Sequence, residues 1–157
     1  MTYYERPDDS VNEQRILEKA KQLFPFLSKF NFEYRPDGIT GAIYDARSID
    51  TDDKIHIDIK ILYDKRNYKK NIISTEKYDY MVARPDRRFF FLAYYPNQNK
   101  MRLRQIHQQT CEYEPNFTWR HKRESERQGK DVYKSDSIYY LVGRYEDRFV
   151  EKFIENL

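Results

Sequence analysis

The strongest constraint on the fold is the stretch KIHIDIKIL at positions 54–62. Isoleucine alternates there with polar residues, and this period of two is typical of a β-strand. Successive side chains of a strand point to opposite faces, so the isoleucines share one face while His56, Asp58 and Lys60 share the other. The pattern therefore predicts a strand with one buried face and an open polar face that carries an acid and an amine two residues apart.

The composition predicts one folded domain spanning residues 1–157. Charged residues make up 35% of the chain, but aromatic residues reach 17%, and disordered chains are poor in aromatics. The single cysteine, Cys111, excludes an internal disulfide and fits a reducing compartment. We see no signal-peptide core and no apolar run of membrane-spanning length, so we expect a cytoplasmic protein with no membrane partner.

A helix is predicted near the beginning of the chain. Ser10 and Glu13 have the spacing of a capping box, in which Ser10 is the N-cap. Apolar residues then recur at helical spacing until Pro25, which should end or kink the helix near Phe24. Glu13 is thus explained by helix capping, although the same glutamate can also serve a site.

Three strands should follow the helix, at about 30–34, 41–49 and 54–62, and the last two form a natural hairpin. If its turn is centred between Thr51 and Asp52, Asp45 lies directly opposite Asp58. Opposed residues point to the same face, with Cβ atoms about 5 Å apart. A register shift of one residue would separate the two carboxylates, so this prediction depends on the turn.

The second half of the chain predicts a mixed sheet flanked by helices. A weak helical pattern covers 72–83, the apolar run 89–95 reads as a central strand covered on both faces, and 101–106 alternates again. The polar span 112–135 has no clear pattern, 138–142 reads as a last strand, and Phe149, Val150, Phe153 and Ile154 predict a terminal helix. We therefore predict an α/β or α+β domain, with a core at about 11–106 and a basic C-terminal extension at about 107–157.

The polar face of the hairpin has the residue types that metal-dependent phosphodiester hydrolysis needs. Mg²⁺ prefers oxygen ligands and keeps several waters, so Asp45 and Asp58 suffice to hold it. Lys60 can orient or deprotonate a water, or stabilise charge on a phosphate. Crowded carboxylates repel one another, and a divalent cation relieves that repulsion. His56 shares this face, but we interpret it as a surface histidine and not as a metal ligand.

Asp45 followed by Asp58-Ile59-Lys60 on the next strand resembles the motif of the PD-(D/E)xK, or restriction endonuclease-like, nuclease superfamily. The family core, a helix, three strands, a helix and two strands, is similar to the order predicted over about two-thirds of this chain. The resemblance implies that Asp45 and Asp58 bind Mg²⁺ or Mn²⁺ and that Lys60 is catalytic. It also implies a glutamate from the first helix as a metal ligand and catalytic residue, for which Glu13 or Glu18 is the candidate. Asp37, in the literal Pro-Asp dipeptide, is a rival for the first acid.

Basic clusters interleaved with aromatic residues suggest a nucleic-acid substrate, because they combine phosphate contact with base stacking. The candidate contacts are Lys69, Lys70, Lys77, Trp119, Arg120, Lys122 and Arg123. The segment around Trp119 is expected to be a loop that reaches a groove.

The resulting hypothesis is a Mg²⁺-dependent DNA endonuclease of phage, homing or restriction type, acting as a homodimer if it cuts both strands. One alternative is a nuclease-fold module that binds nucleic acid or protein without cutting. Another is a nuclease directed at RNA.

Overall fold

The computed structural model describes residues 7–34, 43–49, 54–63, 71–142 and 149–153. Its helices and strands, in chain order, are α1 (Pro7–Leu23), α2 (Pro25–Ser28), β1 (Phe32–Tyr34), β2 (Ala46–Ser48), β3 (Ile55–Ile61), β4 (Asn71–Ser74), α3 (Thr75–Val82), β5 (Arg88–Tyr95), β6 (Lys100–Ile106), β7 (Cys111–Arg120), α4 (Lys122–Gln128), β8 (Tyr133–Leu141) and β9 (Phe149–Phe153). Asp37, Lys69, Lys70 and the hairpin turn at 50–53 lie outside the described residues.

The first helix begins earlier than predicted and ends where predicted. It already starts at Pro7, so Ser10 is not its N-cap and the predicted capping box is wrong. Proline is well tolerated in the first turn of a helix, because the N–H that it lacks would have no helical partner there. Phe24 is extended and Pro25 opens α2, which confirms the predicted break. Glu13 therefore lies inside α1, where its side chain is not needed for capping.

The hairpin register is the one that the sequence predicts. Strand β1 pairs with β2, and β2 pairs with β3, in both cases antiparallel. Ala46 lies opposite Ile57 and Arg47 opposite His56. The same register, continued by one residue, puts Asp45 opposite Asp58. Asp45 stands directly before β2 and is held there by its carboxylate oxygen Oδ2, which accepts a 2.7 Å hydrogen bond from the backbone N–H of Ile59.

Strand β3 lies inside a six-stranded sheet of order β1-β2-β3-β5-β6-β9, and both of its faces are covered. It is parallel to β5, a pairing that requires the crossover through β4 and α3. The isoleucine face packs against α1, where Ile16, Leu17 and Ala20 belong to the same core as Ile57. On the opposite face lies a second core, which includes Tyr44, Ile73, Met81, Phe89 and Phe91. The expected open polar face is therefore wrong, because α3 and its neighbours cover it.

A second, three-stranded sheet of order β4-β8-β7 adjoins the first. The end of β8 is tied to the large sheet by Arg104 of β6, whose guanidinium donates hydrogen bonds to the carbonyl oxygens of Leu141 (3.3 Å) and Val142 (3.2 Å). The polar span that carried no clear pattern forms β7, α4 and the first part of β8. It is a long antiparallel hairpin with a short helix at its tip, and not the loop expected around Trp119.

The predicted terminal helix is wrong. Residues Phe149–Phe153 form β9, which pairs antiparallel with β6 at the edge of the large sheet. The apolar spacing there suits one face of a helix, but the unpaired edge of β6 offers backbone hydrogen bonds that a local pattern does not reveal.

The fold is mixed α+β, as predicted. The predicted order of a helix, three strands, a helix and two strands is present with two additions, α2 after α1 and β4 before α3. The helix predicted over 72–83 is wrong at its beginning, because Asn71–Ser74 form β4 and pair with β8. The central position of β5 is also confirmed. A likeness to the PD-(D/E)xK core in particular stays a prediction. In the described parts of the chain, no helix is both long enough and apolar enough to cross a membrane.

The core under β3 should tolerate truncation poorly. Ile57→Ala removes a fully buried side chain between the sheet and α1, so we expect the free energy of unfolding to fall by about 2–5 kcal/mol. Ile49→Ala is the matched control, because Ile49 is 50% exposed and should change stability by less than about 0.5 kcal/mol. Urea unfolding followed by circular dichroism measures both, and equal losses would contradict this assignment of the core.

Candidate active site

Three carboxyl groups from three elements converge beside β3. Glu13 comes from α1, Asp45 from the residue before β2, and Asp58 from the middle of β3. The charges of Asp45 and Asp58 raise the pKa of Glu13, and the charge of Asp58 raises that of Asp45, which requires that the three groups lie close together. The structure thus brings together the three acids that sequence reasoning selected.

Asp58 is the most enclosed member of the cluster, with an exposed fraction of 0%. The ammonium Nζ of Lys77 lies 2.9 Å from its Oδ1 and forms an ion pair with it. In the described part of the chain, neither Asp58 oxygen has a protein partner that satisfies the geometry of a full hydrogen bond. Burial alone raises the pKa of this carboxyl, but Lys60 and Lys77 outweigh burial and hold the pKa below its ordinary value. Asp58 is therefore a buried anion with coordinating capacity left over.

Asp45 is the proton-holding partner of Asp58. Burial and the charge of Asp58 raise its pKa to about 6, against the opposing effect of Lys60 and Lys77. Two neighbouring carboxyl groups cannot both ionise easily, so below about pH 6 the pair holds one proton, mainly on Asp45.

Glu13 completes the cluster and is only 8% exposed. Burial and the charge of Asp45 raise its pKa to about 7, and the hydroxyl of Tyr34 donates a hydrogen bond to its Oε2. Glu18, the other candidate from the first helix, is exposed to solvent. Of the two glutamates, the structure therefore places Glu13 at the site.

Two lysines supply the positive charge. Lys60, two residues after Asp58 on β3, lowers the pKa of all three carboxyl groups and so lies at the cluster, as predicted. Lys77 lies in the first turn of α3, where its backbone N–H donates a hydrogen bond to the N-cap oxygen of Ser74 (3.2 Å). Its carbonyl accepts a 3.0 Å hydrogen bond from the Tyr44 hydroxyl. The backbone of Lys77 is thus fixed at both of its polar groups.

From the sequence, Lys77 was expected to contact nucleic acid and to approach the site, but its ion pair with Asp58 was not predicted. The available signal was Ser74, since Ser-Thr-Glu-Lys marks a helix N-terminus and places Lys77 in the first turn after a strand. The contact between this lysine and Asp58 depends on the parallel crossover between β3 and β5. Such a crossover is a long-range feature that the local sequence does not reveal.

The interpretation of His56 as a surface histidine is wrong. His56 is 3% exposed, and its ring stacks on Phe89 at 4.8 Å between ring centroids. Burial and the neighbouring Arg87 together lower its pKa to about 4. The neutral imidazole packs among aromatic side chains of the second core.

The donor set suits a hard cation with few protein ligands. Among the described residues, no group of three or more His, Cys, Asp and Glu side chains is placed so that it could hold a metal ion by itself. Mg²⁺ needs less than this, because it binds through one or two carboxylates and retains several waters. Asp58 and Asp45 beside it fit that requirement.

Four of the other predicted contacts to nucleic acid lie within the described residues, on β7 and α4. Trp119 and Arg120 end β7, and Lys122 and Arg123 begin α4. Arg120, Lys122 and Arg123 are exposed. Arg120 forms a 2.8 Å ion pair with Asp131 across the hairpin.

Comparison of this chain with protein-family models, with curated proteins and with solved structures gave no match.

The raised pKa of Glu13 predicts how stability depends on pH. Between pH 4.5 and 7 the folded protein holds a proton that the unfolded chain releases, so the free energy of unfolding should fall as pH rises through this window. Glu13→Gln cannot titrate and should flatten the dependence by on the order of 2 kcal/mol. Urea unfolding in EDTA at a series of pH values measures this effect.

Glu18→Gln is the matched control, since Glu18 lies exposed on the same helix and its variant should follow the wild-type pH dependence. The assignment of Glu13 fails if Glu13→Gln and wild type show parallel curves. It also fails if Glu18→Gln produces the same flattening.

Proposed function

We propose that this chain is a Mg²⁺-dependent endonuclease that hydrolyses DNA phosphodiester bonds. The observation that carries the proposal is the fully buried Asp58, with Asp45 and Glu13 around it and with Lys60 and Lys77 on its charged side. A phosphodiester is an anion that resists attack by water. Its hydrolysis therefore needs positive charge, an oriented water and an acceptor for the proton, at one place.

Asp45 and Asp58 would hold the ion, and the ion when bound would supply charge for the phosphate and would acidify a water. Mn²⁺ suits the same oxygen ligands. Burial of the Asp58 carboxylate supports this assignment. Buried carboxylate oxygens without full hydrogen bonds destabilise the folded protein unless they are bound by a cation.

The charged residues of the site are suited to stabilising the phosphate, orienting the water and transferring a proton. Lys60 is placed to stabilise negative charge on the phosphate or to orient the attacking water. Glu13, whose pKa of about 7 lies near neutrality, is suited to accept and release a proton. Tyr34 is a positioning residue, because its hydroxyl orients the Glu13 carboxyl. The proposal assigns Lys77 to the binding of a DNA phosphate once a cation has replaced it at Asp58.

DNA as the substrate is supported by the exposed cations of α4 and by the aromatic residues that precede them on β7. One site per chain implies that a double-strand cut requires two chains, so a homodimer belongs to the proposal. The biological setting proposed with it is intracellular, of phage, homing or restriction type.

A binding module that does not cut is the second candidate, and one observation favours it. Lys77 already neutralises Asp58 at 2.9 Å, so the site satisfies its own charge in part without a metal ion. A chain that had lost catalysis could keep such a pair for stability while its basic surface continued to bind nucleic acid.

Cleavage of supercoiled plasmid in Mg²⁺ distinguishes the two candidates. We expect nicked or linear product that EDTA abolishes. Asp58→Asn removes the ligand charge and Lys60→Ala removes the cation beside it, so each should lower the rate by on the order of 100-fold or more. Agarose gels give the rates, and circular dichroism shows whether the variants are folded.

Asp79→Asn, on the exposed side of α3, and Lys29→Ala, exposed after α2, are matched controls that should cut like wild type. Cutting by the folded Asp58 and Lys60 variants at the wild-type rate would reject the site. Salt-dependent binding without cutting of any plasmid would favour the binding module, and cutting of RNA alone would favour an RNA-directed nuclease.

Metal binding has a readout that does not depend on cleavage. Lys77→Met leaves the buried Asp58 with less compensation, so we expect the metal-free variant to lose on the order of 2 kcal/mol of stability. Mg²⁺ or Mn²⁺ should restore the melting temperature of this variant more than it raises that of wild type, since the lysine no longer competes for Asp58. Differential scanning calorimetry measures both effects, and equal metal responses in the two proteins would contradict competition.

A further inference from the structure

We propose that the hairpin of β7, α4 and β8 is an arm that enters the major groove of duplex DNA beside the site. This inference deepens the proposed function, on which it rests for the identity of the nucleic acid. We call residues 112–137 the arm.

The arm is a two-stranded ribbon that is open to solvent on both faces along its outer half. There, Trp119 pairs with Lys134 and Arg120 with Tyr133. Tyr133 is 61% exposed, and Thr118, Arg120, Lys134 and Ser135 are also exposed. The outer half of the ribbon buries little surface and so adds little to a hydrophobic core. Its length is therefore better explained by binding than by stability.

The tip of the arm is preformed. His121 caps α4 by accepting a 3.1 Å hydrogen bond from the backbone N–H of Glu124 at its Nδ1, and Gly129 ends α4 in the left-handed conformation. The buried Ser125 accepts a 2.8 Å hydrogen bond from the backbone N–H of Val132 and so closes the tip onto β8. A preformed element loses little conformational entropy when it binds, which favours recognition of a rigid partner.

The charge of the outer arm fits a polyanion. Between positions 117 and 135 there are six basic residues and three acidic ones. Two of the acids are neutralised within the arm, because Asp131 pairs with Arg120 (2.8 Å) and Glu124 with Arg127 (2.7 Å). The other basic residues of this segment are exposed and lie on α4, in the turn after it or at the beginning of β8: Lys122, Arg123, Lys130 and Lys134.

The shape of the arm selects B-form DNA over duplex RNA. The major groove of B-DNA is about 12 Å wide and admits a two-stranded ribbon, whereas that of A-form RNA is too deep and narrow. From Asp136 to Tyr133 the outer ribbon extends about 10 Å at about 3.4 Å per residue, which corresponds to about three base pairs. The hydroxyls of Thr118, Tyr133 and Ser135, all exposed, are side chains that can hydrogen-bond base edges or phosphates.

The base of the arm is attached to the helix that carries Lys77. Tyr78, the next residue of α3, stacks on Tyr139 of β8 with ring centroids 3.7 Å apart, and Tyr113 of β7 contacts the same ring at 5.2 Å. Duplex DNA held by the arm would therefore be anchored next to the lysine that pairs with Asp58. This continuity connects the arm to the carboxyl cluster through one short helix.

A second copy of this chain is the competing partner, because β7 is the edge strand of its sheet. That edge is protected against strand pairing. Pro115 removes a backbone donor, and the register shifts between Glu114 and Phe117, as at a β-bulge. Prolines, bulges and charges are the features by which natural edge strands avoid pairing with other chains, so nucleic acid is the better fit.

Trp119 provides a direct test, since it is the single tryptophan of the chain and lies on the arm. With the full-length protein in EDTA, where no cutting can occur, we expect duplex DNA to change Trp119 emission and to protect it from acrylamide quenching. Duplex RNA of the same sequence should do neither. An equal response to RNA, or no response to DNA at concentrations where anisotropy shows binding, would overturn the inference.

Charge variants test the same point by affinity. Changing Lys122, Arg123, Lys130 and Lys134 together to glutamine should weaken duplex binding by about tenfold or more and should make the slope of log K against log salt shallower by about 3. The matched control changes Arg15, Lys19, Lys21 and Lys29 to glutamine, with the same loss of charge, and should bind close to wild type. Equal effects of the two variants would overturn the inference.

The two proposals fail separately. If the arm variants lose binding but wild type never cuts, the arm stands and the nuclease falls. If wild type cuts while the arm variant binds duplex as tightly as wild type does, the nuclease stands and the arm falls.

Discussion

The buried charge of Asp58 is the constraint on which the site and much of the surrounding packing depend. A carboxylate at 0% exposure is strongly destabilising unless cations and hydrogen bonds surround it. The nearest compensation comes from Lys77, which belongs to α3 and not to the sheet that carries Asp58. Because α3 follows directly on β4, this ion pair joins the large sheet to the three-stranded one. Loss of the pair would weaken an interface between elements as well as a site.

The other two acids respond to the same constraint in the opposite way. Asp58 keeps its charge, and its neighbours hold their protons to a higher pH than usual, with the pKa of Asp45 raised to about 6 and that of Glu13 to about 7. The three carboxyl groups therefore ionise one after another as the pH rises, and all three are largely ionised only above about pH 7. A divalent cation bound here would therefore displace protons as well as the Lys77 ammonium. Such an exchange would make metal affinity depend on pH near neutrality.

The hairpin register could be predicted from sequence because two local signals agree. The isoleucine alternation fixes the faces of β3, and the short polar turn fixes which residue opposes Asp58. Burial of His56 and Asp58 could not be predicted, since their cover comes from β4, α3 and β8, which are distant in sequence. Met81 is the one fully enclosed residue of α3, so this helix has almost no apolar signature. The prediction of a helix at residues 149–153 was wrong for a related reason. The pairing of this segment with the edge of β6 is a long-range contact that local spacing does not encode.

The cost of these features argues that they are kept for something other than stability. Well-packed apolar residues often replace buried ionic groups without loss of stability, yet this chain keeps three acids and two lysines at the centre of its fold. The arm likewise exposes ribbon that a core could do without. The proposed polyanion, bound through a divalent cation, would account for both, because the cation would satisfy the carboxylates and the phosphates would satisfy the lysines. Helix α3 connects the two features, because its Lys77 pairs with Asp58 of the carboxyl cluster and its Tyr78 stacks on Tyr139 at the base of the arm. A single substrate of the proposed kind could therefore contact the cluster and the arm at once.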